Sequence, residues 1–240
     1  MPPPPNFGIS LLNAIYFRGT WKSYFASEHT KNRLFYRSGH MPEIVSMMRQ
    51  PETRTVHLYR GDQFDAALIP YTNEIGHEWS LQIILPHTNL FGAMTTKEYV
   101  TGFLSQVSLN DLDTCQTGYR EVFVDLILPH FAMRQTHDLR APLTQIGVGA
   151  ALSGGGLQTS PQLLAIQEMR QQISMNVNEE GTEAAALTES ILIISPASPV
   201  KKERPIIEKF YVNHLFLFLL TENRSGLPLF IGVIRNPLET

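Results

Sequence analysis

Short runs of apolar and β-branched residues, each closed by glycine, proline or asparagine, recur along the chain and limit what it can fold into. Such runs are typical of β-strands, and their spacing predicts antiparallel sheets joined by tight turns. The longest of them, Leu215–Leu220, is far too short to span a membrane. The main predicted strands are Ile9–Arg18, Ile44–Met48, Thr55–Arg60, Phe64–Tyr71, Trp79–Leu85, Val122–Phe131, Ile173–Val177, Leu215–Leu220 and Pro228–Pro237.

Composition is that of a globular protein, with 43% hydrophobic and 17% charged residues. The net charge of −3 is spread over the chain, so nothing indicates binding to nucleic acid or to a membrane. The single cysteine, Cys115, excludes an internal disulfide framework. We expect it to be an unpaired thiol in a loop after a short helix over Tyr99–Val107. A second helix is predicted over Ala141–Leu152, with Leu143, Ile146 and Val148 on its apolar side.

Enzyme and metal motifs are missing from the sequence. His77-Glu78 is not followed by a second histidine at helical spacing, and no Gly-x-Ser-x-Gly sequence is present. Ser153–Gly156 lacks the Gly-Lys-Ser/Thr ending of a phosphate-binding loop and is expected to be an ordinary loop. We therefore predict neither an enzyme nor a cofactor or metal site.

The segment Asn178–Thr188 is unusual because it places small residues directly after a strand. Alanine and glutamate favour a helix over Glu183–Ala186. A helix here would have no apolar face to bury, however, whereas small side chains fit easily between two β-strands.

Four blocks carry a resemblance to a known family. Glu179–Ala186 resembles the hinge of the reactive-centre loop of an inhibitory serpin, and Leu12–Trp21 is similar to the third strand of the serpin central sheet. Phe210–Phe218 and Pro228–Pro237 resemble the C-terminal blocks of the same family. The resemblance implies an α+β fold with a central sheet, two smaller antiparallel sheets and few helices. We expect a partial serpin domain over residues 9–240 after a proline-rich leader (1–8), with the N-terminal helical region absent.

The resemblance also assigns roles to particular residues. In this family a shutter region lies in the middle of the central sheet and a breach region lies where the sheet opens. Asn13 and Gln171 match shutter positions, although the family usually has a histidine where Gln171 stands, and we expect Asn13 to be buried. Trp21 and His130 match breach positions, and a protonated His130 is expected to pair with Glu179. The hinge residues are Glu179, Glu180, Gly181, Thr182, Glu183, Ala184, Ala185 and Ala186.

The implied function is inhibition of a serine or cysteine endopeptidase. A protease cleaves the loop (about 179–209), and the hinge then inserts into the central sheet as an extra strand. Cleavage at Ile194-Ser195 would suit an elastase-like protease, and cleavage after Lys201 or Lys202 a trypsin-like one. The alternative is a truncated, non-inhibitory serpin that binds a partner or is inactive. We also expect loop–sheet self-association and an extracellular location. Met1–Pro5 lacks the basic and hydrophobic regions of a signal peptide. Asn223-Arg224-Ser225 matches an acceptor for N-linked sugars.

Overall fold

A computed structural model describes residues 8–37, 40–72, 78–87, 98, 101–103, 105, 109–152, 165–182 and 206–239. The chain divides into two compact units. The first takes in the chain up to Phe17 together with Ala132–Met175, and the second takes in Arg18–Phe131 and Asn176–Glu239.

The first unit is built on three long strands. Strand β1 (Gly8–Tyr16) runs parallel to β9 (Ala165–Val177), in a register that pairs Tyr16 with Ser174. Strand β8 (Phe131–Asp138) also pairs with β9. A short helix, α2 (Arg140–Leu143), follows β8 and continues as a π-helical turn over Thr144–Val148.

The second unit is built on a sheet of eight strands in the order β11-β7-β4-β5-β6-β12-β13, with β3 added beside β4. Most of its pairs are antiparallel, whereas β11 runs parallel to β7. The strands are β3 (Lys31–Phe35), β4 (Glu43–Arg60), β5 (Phe64–Pro70), β6 (Trp79–Pro86), β7 (Arg120–Pro129), β11 (Ile207–Tyr211), β12 (Phe216–Glu222) and β13 (Pro228–Ile234). Two two-residue strands, β2 (Gly19–Thr20) and β10 (Gly181–Thr182), complete this unit.

The core of the second unit follows from its apolar strands. Strands β6 and β12 are adjacent and antiparallel, and nearly all of their apolar side chains are buried. The ring of Phe131 packs at 5.5 Å from the rings of both Phe216 and Phe218. Burial of a large apolar side chain contributes roughly 1.5–3 kcal/mol, so these strands hold the sheet together. The predicted C-terminal hairpin is confirmed, with β12 paired to β13.

The predicted strands Ile44–Met48 and Thr55–Arg60 are one continuous strand, β4, and their separation was wrong. Pro51 and Glu52 interrupt the apolar pattern in the sequence. The pairing with β7 instead shifts register between Gln50 and Arg54, so a bulge accommodates the interruption. As a result the two smaller sheets expected beside the central one form a single eight-stranded sheet in the described part of the chain.

The predicted burial of β1 on both faces was also wrong. Leu12 is 78% exposed and Tyr16 is 68% exposed, and Asn13 is exposed instead of enclosed in a polar cluster. A continuous apolar run is typical of a strand covered on both sides. In this chain nothing among the described residues covers one face of β1.

Two of the helical predictions needed correction, whereas the third agrees with the residues that the structure describes. Cys115 lies in a helix, α1 (Leu109–Gly118), and not in a loop, although it is free and buried as a thiol. The expected apolar side of the helix from Ala141 is exposed at Ile146 and Val148. For the helix expected over Tyr99–Val107, residues 101–103 are helical and Phe103 is buried.

None of the helices in the described ranges is long and apolar enough to cross a membrane. The same ranges contain no cluster of three or more His, Cys, Asp or Glu residues that could hold a metal ion.

Candidate functional site: the hinge after strand β9

The chain reverses direction immediately after β9, in a turn formed by Asn178–Gly181. The backbone N–H of Asn178 donates to the carbonyl of Gly181 at 2.9 Å, which closes the turn. The side-chain oxygen of Asn178 accepts hydrogen bonds from the backbone N–H groups of Glu180 (3.1 Å) and Gly181 (3.2 Å). Asparagine commonly stabilises turns in this way. The turn therefore sends the hinge back along the strand that precedes it.

The turn leads into β10, which consists of Gly181 and Thr182. Thr182 pairs antiparallel with Val177, the last residue of β9, and Gly181 pairs antiparallel with Thr20 in β2. Gly181 has φ +147°, and a Cβ atom there would lie 2.0 Å from the carbonyl oxygen of Gly19. Only glycine allows this close approach of two backbones. Strand β10 thus already has a neighbour on each side, because Thr182 pairs with Val177 of β9 and with Gly19 of β2.

Thr182 is fully buried beneath an aromatic cluster. Its hydroxyl lies 2.8 Å from the hydroxyl of Tyr71, which is itself buried. Burial raises the pKa of Tyr71 well above its usual range, so its hydroxyl stays protonated and can donate to Thr182. The Tyr71 ring stacks on Trp21 at 4.4 Å, and Phe25 meets Trp21 edge-on at 6.0 Å.

Trp21 and Phe25 also fix the backbone of the turn. The indole N–H of Trp21 donates to the carbonyl of Asn178 at 2.8 Å, and its backbone N–H donates to Glu180 at 2.9 Å. The backbone N–H of Phe25 donates to Glu179 at 3.0 Å. Three consecutive carbonyls of the turn are therefore occupied by donors from one short segment. Trp21, predicted as a breach residue from sequence, lies directly against the hinge.

Glu179 is held by two side chains from distant parts of the chain. Its Oε1 accepts from the hydroxyl of Thr30 at 2.7 Å, and its Oε2 lies 2.8 Å from Nε2 of His130. The distance to His130 is within the range of an ion pair, but the geometry of the contact is not that of a hydrogen bond. Burial alone would raise the pKa of Glu179, but the Thr30 hydroxyl, the backbone and His130 together outweigh it and the pKa is lowered. The carboxylate is therefore charged at neutral pH.

The two predicted shutter residues are neighbours on adjacent strands. Asn13 in β1 and Gln171 in β9 lie opposite each other in the parallel register of the first unit. Asn13 is exposed and Gln171 is half-buried.

Part of the predicted site lies outside the described residues. This applies to the hinge residues Glu183, Ala184, Ala185 and Ala186 and to the cleavage candidates Ile194, Ser195, Lys201 and Lys202. Ile207–Lys209, expected at the end of the loop, belong to β11.

Thr30, Tyr71 and Asn178 contact the hinge but were not predicted as site residues. Asn178 has a local signal, since an asparagine that closes a strand before a glycine favours a turn. Thr30 and Tyr71 precede their partners in the chain by 149 and 111 residues, so no local pattern could have identified them.

Comparison with known proteins decides the family. The profile described as "Serpin (serine protease inhibitor)" matches residues 3–237. The chain belongs to the serpin family. It is 32% identical to Iripin-2 of Ixodes ricinus over 97% of this chain and 55% of that protein. It is also 32% identical to human Serpin B4 over 95% of this chain and 56% of that protein.

Further relatives agree with this assignment. The porcine leukocyte elastase inhibitor is 29% identical over 95% of the chain and 58% of its own length. A solved serpin structure from Schistosoma mansoni superposes with a TM-score of 0.74 at 22% identity, covering 99% of this chain and 58% of that one. This serpin chain therefore spans a little over half the length of the relatives it matches. Its fold is serpin-like and mostly β, and the small number of helices in the described residues agrees with what the resemblance implied.

Proposed function

We propose that the chain carries the protease-trapping loop of an inhibitory serpin, with a serine protease as the target. Cleavage of the loop by the protease would release the hinge, which would then add to a sheet as a new strand. The observation that carries the proposal is the position of Thr182. It is buried, bonded to Tyr71 and already paired with the end of β9.

The register of β10 indicates where further insertion would lead. Thr182 lies opposite Val177 in an antiparallel pair, so a continuing strand would place Ala184 opposite Met175 and Ala186 opposite Ile173. In the present structure β1 is the parallel neighbour of β9 as far as Ser174, which includes the position of Ile173 but not that of Met175. An inserted strand would replace one parallel pair of strands by two antiparallel pairs, and antiparallel pairs are slightly more stable per residue. The backbone N–H and C=O groups of the inserted strand would also gain hydrogen-bond partners.

Side-chain size favours the same event. Glycine, threonine and alanine at Gly181, Thr182 and Ala184–Ala186 require little separation of the neighbouring strands. Trp21, Phe25 and Thr30 hold the turn that begins the insertion, so the entropic cost of starting the strand is already met.

The class of protease is proposed from the loop sequence. Ile194-Ser195 presents a branched apolar residue, which suits an elastase-like enzyme. The name of the porcine relative, a leukocyte elastase inhibitor, supports the same class. Cleavage after Lys201 or Lys202 by a trypsin-like enzyme is the competing outcome.

The test is to mix the purified chain with elastase and, separately, with trypsin, and to look for a complex that survives denaturing gel electrophoresis. An acyl-enzyme trapped by insertion gives a band at the summed mass of chain and protease. Sequencing of the released C-terminal peptide identifies the cleaved bond. Cleavage by both enzymes without any covalent band would refute the inhibitor proposal.

A second candidate is a serpin-like chain that binds a partner without trapping a protease. The exposed Leu12 and Tyr16 on β1 favour it, since apolar side chains on a sheet surface often mark a binding surface. Under this candidate the chain is cleaved as a simple substrate, and the complex is missing with both proteases.

A further inference from the structure

The turn between β12 and β13 is firmly built although it lies at the surface. The Glu222 carboxylate accepts hydrogen bonds from the backbone N–H of Ser225 at 2.7 Å and from its hydroxyl at 2.6 Å. The backbone N–H of Glu222 donates to Leu227 at 3.0 Å, which closes the hairpin. Gly226 has φ +69°, the left-handed conformation that glycine adopts without strain. A group attached to this turn would therefore sit on a fixed support.

Asn223 opens this turn with an exposed side chain. Its backbone N–H donates to the carbonyl of Glu78 at 2.7 Å, but its side-chain amide makes no hydrogen bond to the described residues. Asn223-Arg224-Ser225 is the only Asn-x-Ser/Thr triplet in the 240-residue sequence, and such triplets are acceptors for N-linked sugars. The amide that would be modified is thus accessible and is not needed to hold the turn.

An apolar groove of about 730 Å³ lies beside the triplet. Its lining residues are Trp79, Glu222, Arg224, Ser225, Leu227, Pro228 and Leu229. Leu227 is 68% exposed and Leu229 is 41% exposed, so the groove presents apolar surface to water. A sugar ring has apolar C–H faces and a polar rim. It can therefore cover such a surface while its hydroxyl groups remain in water.

We propose that Asn223 is an N-glycosylation site and that the first sugars of the glycan cover the groove formed by Trp79, Leu227 and Leu229. In the modification, an oligosaccharide is transferred from a lipid diphosphate donor. The side-chain nitrogen of Asn223 forms a bond to the sugar carbon, the bond from that carbon to the diphosphate oxygen breaks, and the amide loses one proton. The proposal is independent of protease inhibition, and its failure would leave the hinge proposal untouched.

Secretion from eukaryotic cells tests the site. The chain is directed to the secretory pathway, and its gel mobility is compared before and after treatment with a peptide N-glycosidase. We expect a slower band that the enzyme shifts to the position of Asn223→Gln. Ser225→Thr keeps a hydroxyl in the triplet and should retain the slower band, whereas Ser225→Ala should lose it. Identical mobility of the untreated chain and Asn223→Gln would overturn the site.

A second measurement tests whether the glycan covers the groove. An apolar fluorescent dye should bind Asn223→Gln more strongly than the glycosylated chain. The matched control is Asn223→Gln with Leu227→Ser, which removes apolar surface from the groove and should return dye fluorescence to the glycosylated level. Equal dye binding by the glycosylated chain and Asn223→Gln would overturn the covering of the groove, even if the site is used.

Discussion

At the scale of single residues, the hinge depends on the pair of buried hydroxyl groups of Tyr71 and Thr182. Removal of either hydroxyl breaks this buried hydrogen bond, which typically costs about 1–3 kcal/mol. We predict that Tyr71→Phe and Thr182→Val each lower the free energy of unfolding by this amount. Thr182→Ser keeps the hydroxyl and should cost less. Urea denaturation of the wild type, Tyr71→Phe, Thr182→Val and the double variant measures the coupling. If the double variant costs as much as the sum of the two single variants, the two hydroxyls do not interact.

Gly181 is the second residue on which the hinge depends. A Cβ atom at this position would collide with the backbone of Gly19, so Gly181→Ala must push β10 away from β2. Gly147→Ala is the matched control, because Gly147 also has a positive φ (+95°) but has nothing within 4 Å of an added Cβ. We predict a loss of about 1–3 kcal/mol for Gly147→Ala from backbone strain alone and a larger loss for Gly181→Ala. Similar losses in thermal unfolding would mean that the close contact with Gly19 is not important.

At the scale of secondary-structure elements, the turn after β9 is tied to the rest of its unit by the charge of Glu179. Its pKa is lowered in the folded chain, so the stabilisation is fully present above the unfolded value of about 4.3 and is lost as pH falls through the lowered folded value. We predict that Glu179→Gln reduces stability at pH 7 and that its difference from the wild type shrinks in acid. Thermal unfolding from pH 3 to 7 measures this. A constant difference across that range would show that the charge of Glu179 contributes nothing.

His130 is the second side chain that contacts the carboxylate of Glu179. Its Nε2 lies 2.8 Å from Oε2 of Glu179. Pairs of this kind at partly exposed positions contribute up to about 1 kcal/mol. We predict that His130→Ala lowers the free energy of unfolding in the wild-type chain and lowers it less in Glu179→Gln, where the carboxylate is already removed. Urea denaturation of the four proteins of this cycle measures the coupling, and equal losses in both backgrounds would show that the contact contributes nothing.

The elements differ in how well the sequence predicts them, for physical reasons. Strands β5 and β6 and the hairpin of β12 and β13 are bounded by strong turn-forming residues. Their predicted bounds agree with the structure to within three residues. Strand β4 was divided because Pro51 interrupts it, and only the paired strand β7 shows that a bulge absorbs the interruption. Helix α1 was missed although Leu109, Leu112 and Cys115 recur at three-residue intervals, because a helix of fewer than three turns gives a weak pattern.

At the scale of the whole molecule, the candidate site was predictable only through family resemblance. Glu179, Trp21 and His130 were identified in this way, and the structure brings them together around one turn. The exposure of Asn13 could not be predicted from its own strand, because burial depends on which elements cover the sheet. Among the described residues no element covers that face of β1, although its apolar run is typical of a strand covered on both sides.

The most direct test of the account is the thermal stability of the chain before and after cleavage of the loop. If the released hinge adds to the sheet, the cleaved chain gains the hydrogen bonds of a new strand and should unfold at a clearly higher temperature than the intact chain. Thr182→Arg, which places a long charged side chain at the buried start of the strand, should be cleaved at the same bond without this gain. An unchanged or lower unfolding temperature for the cleaved wild-type chain would contradict hinge insertion, and with it the proposed mechanism.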